Sequence, residues 1–417
     1  MRTRGQGPMA NRALILLEGH RSNGPLYIQA AQRLDLHPIT LTTDPTQYHY
    51  LEREKIDAIR VDTNSLDSLI CVCSRLRTTY DIVGITGFSG RDESLYLTVA
   101  KLCQHFGLPG PNPAAVERSC DKFVQRQCLA KAGVPMPAFR LAADPMGVKD
   151  SATEIGFPVV VKPAVGSGSS GVRLCRDVSE LTEHTNYLLG GKHTWPCEPR
   201  ILVEQFARGP SYSADTMGDM VIAVGAAEFD QPPYFVVRES VFPARLTGDD
   251  YRRIVDVSLN CLQALGLSWG PTNIEFRWTK QGPVVIEVNP RLPGWTTPRL
   301  IQLAYGVDLI TEHINLVTGE KCDLRATHLL TAAARFLVPD RDGILDWIDG
   351  DIRAAAVPGV DEVRFYVKPN TLVVRKGDYL DSIGHVIAAS PSFAQTEAIL
   401  DRAVDLIRWS INGCVAV

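Results

Sequence analysis

Residues 272–294, TNIEFRWTKQGPVVIEVNPRLPG, carry the densest chemistry in the chain. Two alternating runs flank Lys280-Gln281-Gly282, a turn signal, and predict strands over 272–278 and 283–289. A hairpin centred on Gln281 sets Glu275 opposite Glu287 and Asn273 opposite Asn289. Period-two alternation then puts all four on one face, with Ile274, Phe276, Trp278, Val284, Ile286 and Val288 on the other. Two carboxylates opposed across a sheet repel each other, and a cation between them removes that cost. Carboxylate and amide oxygens are the donors Mg²⁺ prefers, with phosphate oxygens completing its shell. Arg291 follows at once. A solvated polar face would explain the alternation, but not Glu, Glu and Asn converging just ahead of Asn-Pro-Arg.

A second stretch, VVVKPAVGSGSSGV (159–172), ends an apolar β-branched run on Lys162 and continues through Gly166, Ser167, Gly168, Ser169, Ser170 and Gly171. An ordinary turn needs only about one or two such residues. This one reads either as a flexible hairpin loop or as a backbone cradle for phosphate. In the cradle, N–H groups approach closely because no Cβ intervenes, and Lys162 supplies a point charge. Strand, loop, strand is the wrong setting for a Walker A loop, and no G-x-x-x-x-G-K-[ST] lies near it.

These residues need a scaffold, and 417 residues suffice for two or three domains with large cores. Hydrophobic content of 45% and charged content of 22% are those of a soluble globular chain. A formal net charge of −4 gives no broad basic field for nucleic acid. No apolar run approaches the roughly 20 residues of a membrane helix. The opening MRTRGQGPMANR has no apolar core of a secretory signal, and Met9 is a candidate start. The ten cysteines show no repeating spacing; Cys71-Val72-Cys73 has no His pair near it. They read as reduced core residues of a cytoplasmic protein.

Along the chain, apolar strands at 13–20, 38–44, 57–62 and 81–86 alternate with helical patterns at 24–34 and 64–78. This predicts a parallel α/β unit, closed by the breakers of LPGPNPAA (108–115). Helices follow after Asn112 and around 121–132. A strong helix over 250–266 is closed by Gly266, and one after Pro298 ends near Gly306. From about 328 the pattern is short strands with Gly/Pro turns, then a last helix at about 393–409.

The order of these features resembles the ATP-grasp superfamily: a lysine before a Gly/Ser loop, ILVEQF, then IEF…VIEVNPR. The segment GLPGPNPAAVERSCDKFVQRQCLAKAGVPMPAF and the later AAARFLVP add to it. The resemblance implies an α/β ATP-grasp fold. Its expected parts are an N-terminal Rossmann-like domain (1–115), a nucleotide-binding core (116–327, with a flap at about 130–215) and a C-terminal α+β piece (328–417). It implies ATP contacts from Lys122, Lys162, the 166–171 loop and the segment Glu204, Gln205, Phe206. It implies magnesium ligands at Glu275, Glu287 and Asn289, expected as two ions with Mn²⁺ as an alternative, and an arginine at Arg291 that steadies the acyl phosphate. Where relatives carry a ribose-binding glutamate, this chain has Ser211; the contact is expected either to pass to that serine or to Asp215, or to be lost.

Within the superfamily, "E…FPA" around Glu239 and Arg245, RFLVP, and GHVIA at 384–388 resemble amino-acid ligases of the bacilysin and dapdiamide type. The expected activity is ATP-dependent joining of a carboxylic acid to an amino acid in peptide natural-product biosynthesis, by a homodimer without membrane or nucleic-acid partners. A carboxylase or purine-pathway type activating bicarbonate or formate, or a silent nucleotide-binding protein, are the alternatives. Glu239, Arg291, Gly294 and Trp295 are candidate substrate contacts. His20 reads chiefly as a helix-entry residue, residues 86–93 and Arg335 as possible pocket residues, and His385 as structural.

Overall fold

The computed structural model describes residues 11–88, 93–191, 193, 195 and 198–413. Its first sheet is parallel: β1 (Arg12–Leu17), β2 (His37–Thr42), β3 (Asp57–Arg60) and β4 (Asp81–Gly87), in the order β3-β2-β1-β4. The run ALILL is buried throughout, because β1 is central and covered on both faces. Leu14 and Leu16 point to one core, Ala13, Ile15 and Leu17 to another.

A second, antiparallel sheet holds β5 (Phe139–Ala142), β6 (Val159–Pro163), β7 (Arg173–Cys175) and β8 (Ile201–Gln205), in the order β5-β8-β6-β7. Val159 and Val161 enter its core, so alternation turns Lys162 to the other face.

The largest sheet begins with β9 (Ser211–Met217), β10 (Met220–Phe229), β11 (Val237–Phe242), β12 (Pro271–Thr279), β13 (Gly282–Asn289) and β14 (Thr331–Leu337). The chain then alternates between two sheets. β15 (Gly343–Asp349), β17 (Thr371–Val373) and β19 (Arg408–Asn412) form a three-stranded sheet, while β16 (Val360–Phe365) and β18 (Gly384–Ser390) join the large one. Its order is β13-β12-β9-β10-β11-β14-β18-β16. This sheet runs straight across the expected boundary at 327/328. One face packs on the helix Gly248–Leu265, through Ile274, Phe276, Val285 and Val288. Farther along, the same face meets the helix Phe393–Val404.

Two expectations need correction. The hairpin pairs Asn273 with Asn289 and Glu275 with Glu287 as expected, but the register shifts beyond Glu275, so that Phe276 faces Val285 and Arg277 faces Val284. Val285, rather than Val284 or Ile286, fills the core; the extra residue is a bulge at Ile286. The last helix ends at Val404, and β19 follows it as the last described element.

Candidate active site

The registers of β9, β12 and β13 align polar side chains in two rungs on one face. One is Asp215–Asn273–Asn289, the next Ser213–Glu275–Glu287. Asn273 Nδ2 donates to Asp215 Oδ1 at 2.8 Å. The other oxygen of Asp215 is buried with no hydrogen-bond partner among the described residues. Burial pushes the Asp215 carboxyl up to about 7, against the bond from Asn273. Burial and the charge of Glu287 push Glu275 up to about 7 as well. For Glu287 the burial cost is outweighed by Lys122 and Lys162, which hold it below its ordinary range. The donors fit a hard divalent cation: all are oxygens, with two opposed carboxylates and an amide. No group of three or more His, Cys, Asp or Glu among the described residues could hold a metal. An ion on Glu275, Glu287 and Asn289 therefore needs outside oxygens to complete its shell, as phosphates provide.

Both lysines are brought to this face, and both are paired with carboxylates. Lys122 Nζ lies 3.0 Å from Glu287 Oε1 and donates to the Gly166 carbonyl at 2.5 Å. Lys162 Nζ lies 2.5 Å from Glu204 Oε2. Burial lowers the pKa of Lys162 despite Glu204 beside it. Burial would raise Glu204, but Arg126 and Lys162 hold it down to about 2.

The organising element is the helix Lys122–Lys131, capped by the Asp121 side chain on the amides of Phe123 and Val124. Positions 122, 125 and 126 share one face of a helix. Gln125 acts as a backbone substitute on β13: its Nε2 donates to the Val288 carbonyl at 2.7 Å, and its Oε1 accepts from the Val288 amide at 3.0 Å. Arg126 is fully buried. Its Nε binds Glu204 Oε1 at 2.6 Å, and its Nη2 donates to the Ile286 carbonyl at the bulge. One helix face thus fixes β8, whose Glu204 holds Lys162, and the carboxylate strand β13 together. Sequence reasoning missed Gln125 and Arg126. The available signal was polar residues at 122, 125 and 126 on a face that continues into buried Leu129.

Arg291 Nε makes two bonds, 2.9 and 3.1 Å, to the carboxylate of Glu93, which is buried. That residue ends the 86–93 stretch; residues 89–92 lie outside the described residues. Beside Arg291 is a cavity of about 40 Å³, walled by Tyr27, Phe88, Tyr96, Trp269 and His313. Tyr27 Oη and His313 Nδ1 are 2.5 Å apart, and burial lowers His313 to about 4, so the ring is neutral at pH 7. His20 is likewise lowered to about 4, by burial and then by Arg291. Its Nδ1 accepts from the Asn23 amide at 3.1 Å, at the start of the helix Asn23–Arg33.

The remaining candidates divide. Gly166, Ser167, Gly168, Ser169, Ser170 and Gly171 form the loop between β6 and β7, with φ of 150°, 65°, 60° and 72° at Gly166, Gly168, Ser169 and Gly171. The carboxylate of Glu204 is committed to Lys162 and Arg126, and the amides of Gln205 and Phe206 donate to the carbonyls of Ala138 and Pro158 at 2.8 and 3.3 Å. Ser211 Oγ is buried without a partner among the described residues, whereas Asp215 belongs to the carboxylate end of the sheet. Gly294 and Trp295 follow Arg291 in the loop after β13.

Glu239 sits apart from the carboxylate pair. Glu275 shares a rung with Ser213 and Gly225, while Val241 shares one with Ala226, Tyr212 and Phe276. Glu239, two residues from Val241, therefore lies on the opposite face from the carboxylate pair. There it binds Arg335 at 2.8 Å, which also pairs with Asp401 of the last helix. Arg245 stacks over Phe393 of the same helix, 4.7 Å from the ring centroid. Glu239→Gln is expected to cost about 1–2 kcal/mol of stability and to leave the KM values for ATP and both co-substrates unchanged. Steady-state kinetics beside thermal unfolding checks this, and a raised KM would return Glu239 to the site.

Two family models match the chain. "Carbamoyl-phosphate synthase L chain, ATP binding domain" covers residues 121–325, and "L-amino acid ligase C-terminal domain 2" covers 335–412. The chain belongs to the ATP-grasp ligases. This ATP-grasp chain is 56% identical over 401 residues to the "uncharacterized protein y4rH" of Sinorhizobium fredii, covering 96% of the chain and 83% of that protein. It is 29% identical over 252 residues to carnosine synthase 1 of Homo sapiens, covering 56% of the chain but 30% of that longer protein. The crystal structure of the L-amino acid ligase from Bacillus licheniformis shares the fold, with a TM-score of 0.80 at 18% identity over 97% of this chain and 100% of that one. No described helix is long and apolar enough to cross a membrane.

Proposed function

We propose that this protein joins the carboxyl group of an amino acid or acyl-amino acid to the amine of a second amino acid through an acyl phosphate, releasing an amide, ADP and phosphate. The observation that carries the reading is the opposed pair Glu275/Glu287 with Lys122, Lys162 and Arg291 gathered round it. The match of residues 335–412 to the L-amino acid ligase domain supports amino acids over bicarbonate as the acid.

A free carboxylate is a poor acyl donor, because its leaving group would be oxide or hydroxide. Transfer of the γ-phosphoryl group turns that oxygen into part of a phosphate, which leaves far more easily. Phosphoryl transfer asks mainly for positioning and for stabilisation of charge. Lys122 and Lys162 exchange Glu287 and Glu204 for phosphate oxygens, and the 166–171 loop offers amide N–H groups. Glu275, Glu287 and Asn289 would hold magnesium, which would neutralise charge on the phosphate oxygens. The segment Glu204, Gln205, Phe206 borders the adenine, and Ser211, whose buried hydroxyl has no partner among the described residues, is the ribose-side group. Arg291, fixed by Glu93, steadies the oxygen that becomes negative as the amine adds. Gly294 and Trp295 border the amine side. The amine then loses its proton as the C–N bond forms and phosphate departs.

Heavy oxygen in the acid's carboxylate tests the order of events. One labelled oxygen is expected in the released phosphate, found by mass spectrometry. Label in AMP, with pyrophosphate as co-product, would mean adenylation and overturn the reading. ADP release driven by bicarbonate alone would favour a carboxylase instead.

A further inference from the structure

The glycine-serine loop touches the C-terminal part of the chain through Tyr379. This residue opens a single 3-10 turn, Tyr379–Asp381. Its backbone N–H donates to the Gly168 carbonyl at 3.3 Å. Its ring lies so close to Gly168 that a Cβ there would stand 2.4 Å from Cδ1. The same ring meets the indole of Trp295, with centroids 5.6 Å apart at 59°. Trp295 in turn packs on Phe336 at 4.9 Å and holds a left-handed backbone at φ 58°.

The post that carries Tyr379 is braced. Asp381 is almost fully buried and accepts from the amides of Lys376 and Gly377 at 2.8 and 2.9 Å. Asp378 caps Leu380 at 2.8 Å. The loop it touches is the opposite. Three glycines and Ser169 hold positive φ; the loop's own backbone bonds are Ser170 N to Ser167 O and Val172 N to Ser169 O, at 3.3 and 3.1 Å, and its ends are held by Lys122 Nζ on the Gly166 carbonyl and His184 Nε2 at the Gly171 carbonyl. A short glycine-rich loop outside any helix or strand sits at the low-stability end of a fold. A single aromatic contact can therefore shift its conformational equilibrium by roughly 2- to 10-fold.

We propose that Tyr379 is a positioning residue that couples the phosphate loop to Trp295 on the amine side of the site. The inference rests on the ATP-dependent ligase reading. Movement of the loop over a nucleotide shifts the glycine on which the Tyr379 ring rests, and the ring transmits that shift to the indole. Binding linkage is reciprocal, so a substrate that moves Trp295 biases the loop by the same factor.

The test uses the full chain, Mg²⁺ and a non-hydrolysable ATP analogue. Trp295 emission is isolated by subtracting the Trp295→Phe variant. Loop closure is read separately as protection of residues 166–171 from protease. The expected result is a change of Trp295 emission on analogue binding in the wild type and in Tyr379→Phe, which keeps the ring. The change disappears in Tyr379→Ala and in Tyr379→Leu, which keeps bulk without the ring. Protection persists in all four proteins, and half-protection in the Ala and Leu variants needs roughly 2- to 10-fold more analogue. An emission change that survives in Tyr379→Ala or Tyr379→Leu, or that is absent in a protected wild type, overturns the inference and leaves the ligase reading intact. No protection in the wild type at any analogue concentration overturns both.

Discussion

Glu287→Gln should lower magnesium-dependent turnover by about 10²- to 10³-fold, the loss typical when one charge-stabilising group is removed from a reaction centre. The fold should survive. Glutamine has the same shape, and its Oε1 can still accept from Lys122 Nζ, which now lies 3.0 Å from the Glu287 carboxylate. The substitution also removes the repulsion that helps push Glu275 up to about 7, so part of the lost attraction to Lys122 is offset. Stability is therefore expected to change by less than about 1 kcal/mol. The measurement is ADP release against Mg²⁺ concentration, beside a thermal unfolding scan. A loss confined to high Mg²⁺ demand would mean weaker ion binding, whereas a loss that saturating Mg²⁺ cannot repair would mean a charge missing in the transition state. Turnover equal to wild type would remove Glu287 from the site.

The Glu275/Glu287 pairing was legible because both residues lie near a turn whose centre the sequence marks. Only six positions separate either residue from Gln281, and a symmetric hairpin needs no outside information. The bulge at Ile286 was not legible. Its carbonyl leaves the ladder for Arg126, which is 160 residues away in sequence, and no local pattern announces such a partner. The face on which Glu239 lies was not legible for a related reason. Its face depends on strand order across β9, β10 and β11, and parity cannot be carried through turns of unknown geometry. The over-long last helix has a simpler cause. Leu406 and Ile407 prolong the amphipathic pattern of Phe393–Val404, but the chain turns there so that β19 can pair with β15. Propensity yielded to a sheet edge that needed a partner.

Arg126→Met should be among the most destabilising single changes in the protein, at about 3–5 kcal/mol, because it leaves a buried charge short of its partner. Arg126 and Glu204 are both buried, with side-chain exposures of 0% and 4%. Methionine removes the Nε bond to Glu204 and the donor that satisfies the Ile286 carbonyl. Lys162 must then neutralise Glu204 alone, and it becomes harder to release to a phosphate. A raised KM for ATP should accompany the lost stability. The pH dependence carries a definite sign. Glu204 is held at about 2 against an ordinary 4.5, so its contribution is fully present above pH 4.5 and fades as pH falls through 2. In Arg126→Met part of that hold is gone, and the carboxyl titrates nearer 4.5. The gap between wild type and variant should therefore narrow as pH drops from 4.5 towards 2, which urea unfolding across that window would show. Arg126→Lys should recover little, since one ammonium cannot reach both Glu204 and Ile286 in the arginine's fork geometry. Adding Glu204→Gln to Arg126→Met should recover most of the stability but not the ATP affinity, because it removes the stranded charge while leaving Lys162 without its guide. If the double variant instead recovered neither, the loss would come from packing around residue 126, and the shared arginine would not be what ties the Glu204 strand to the carboxylate strand.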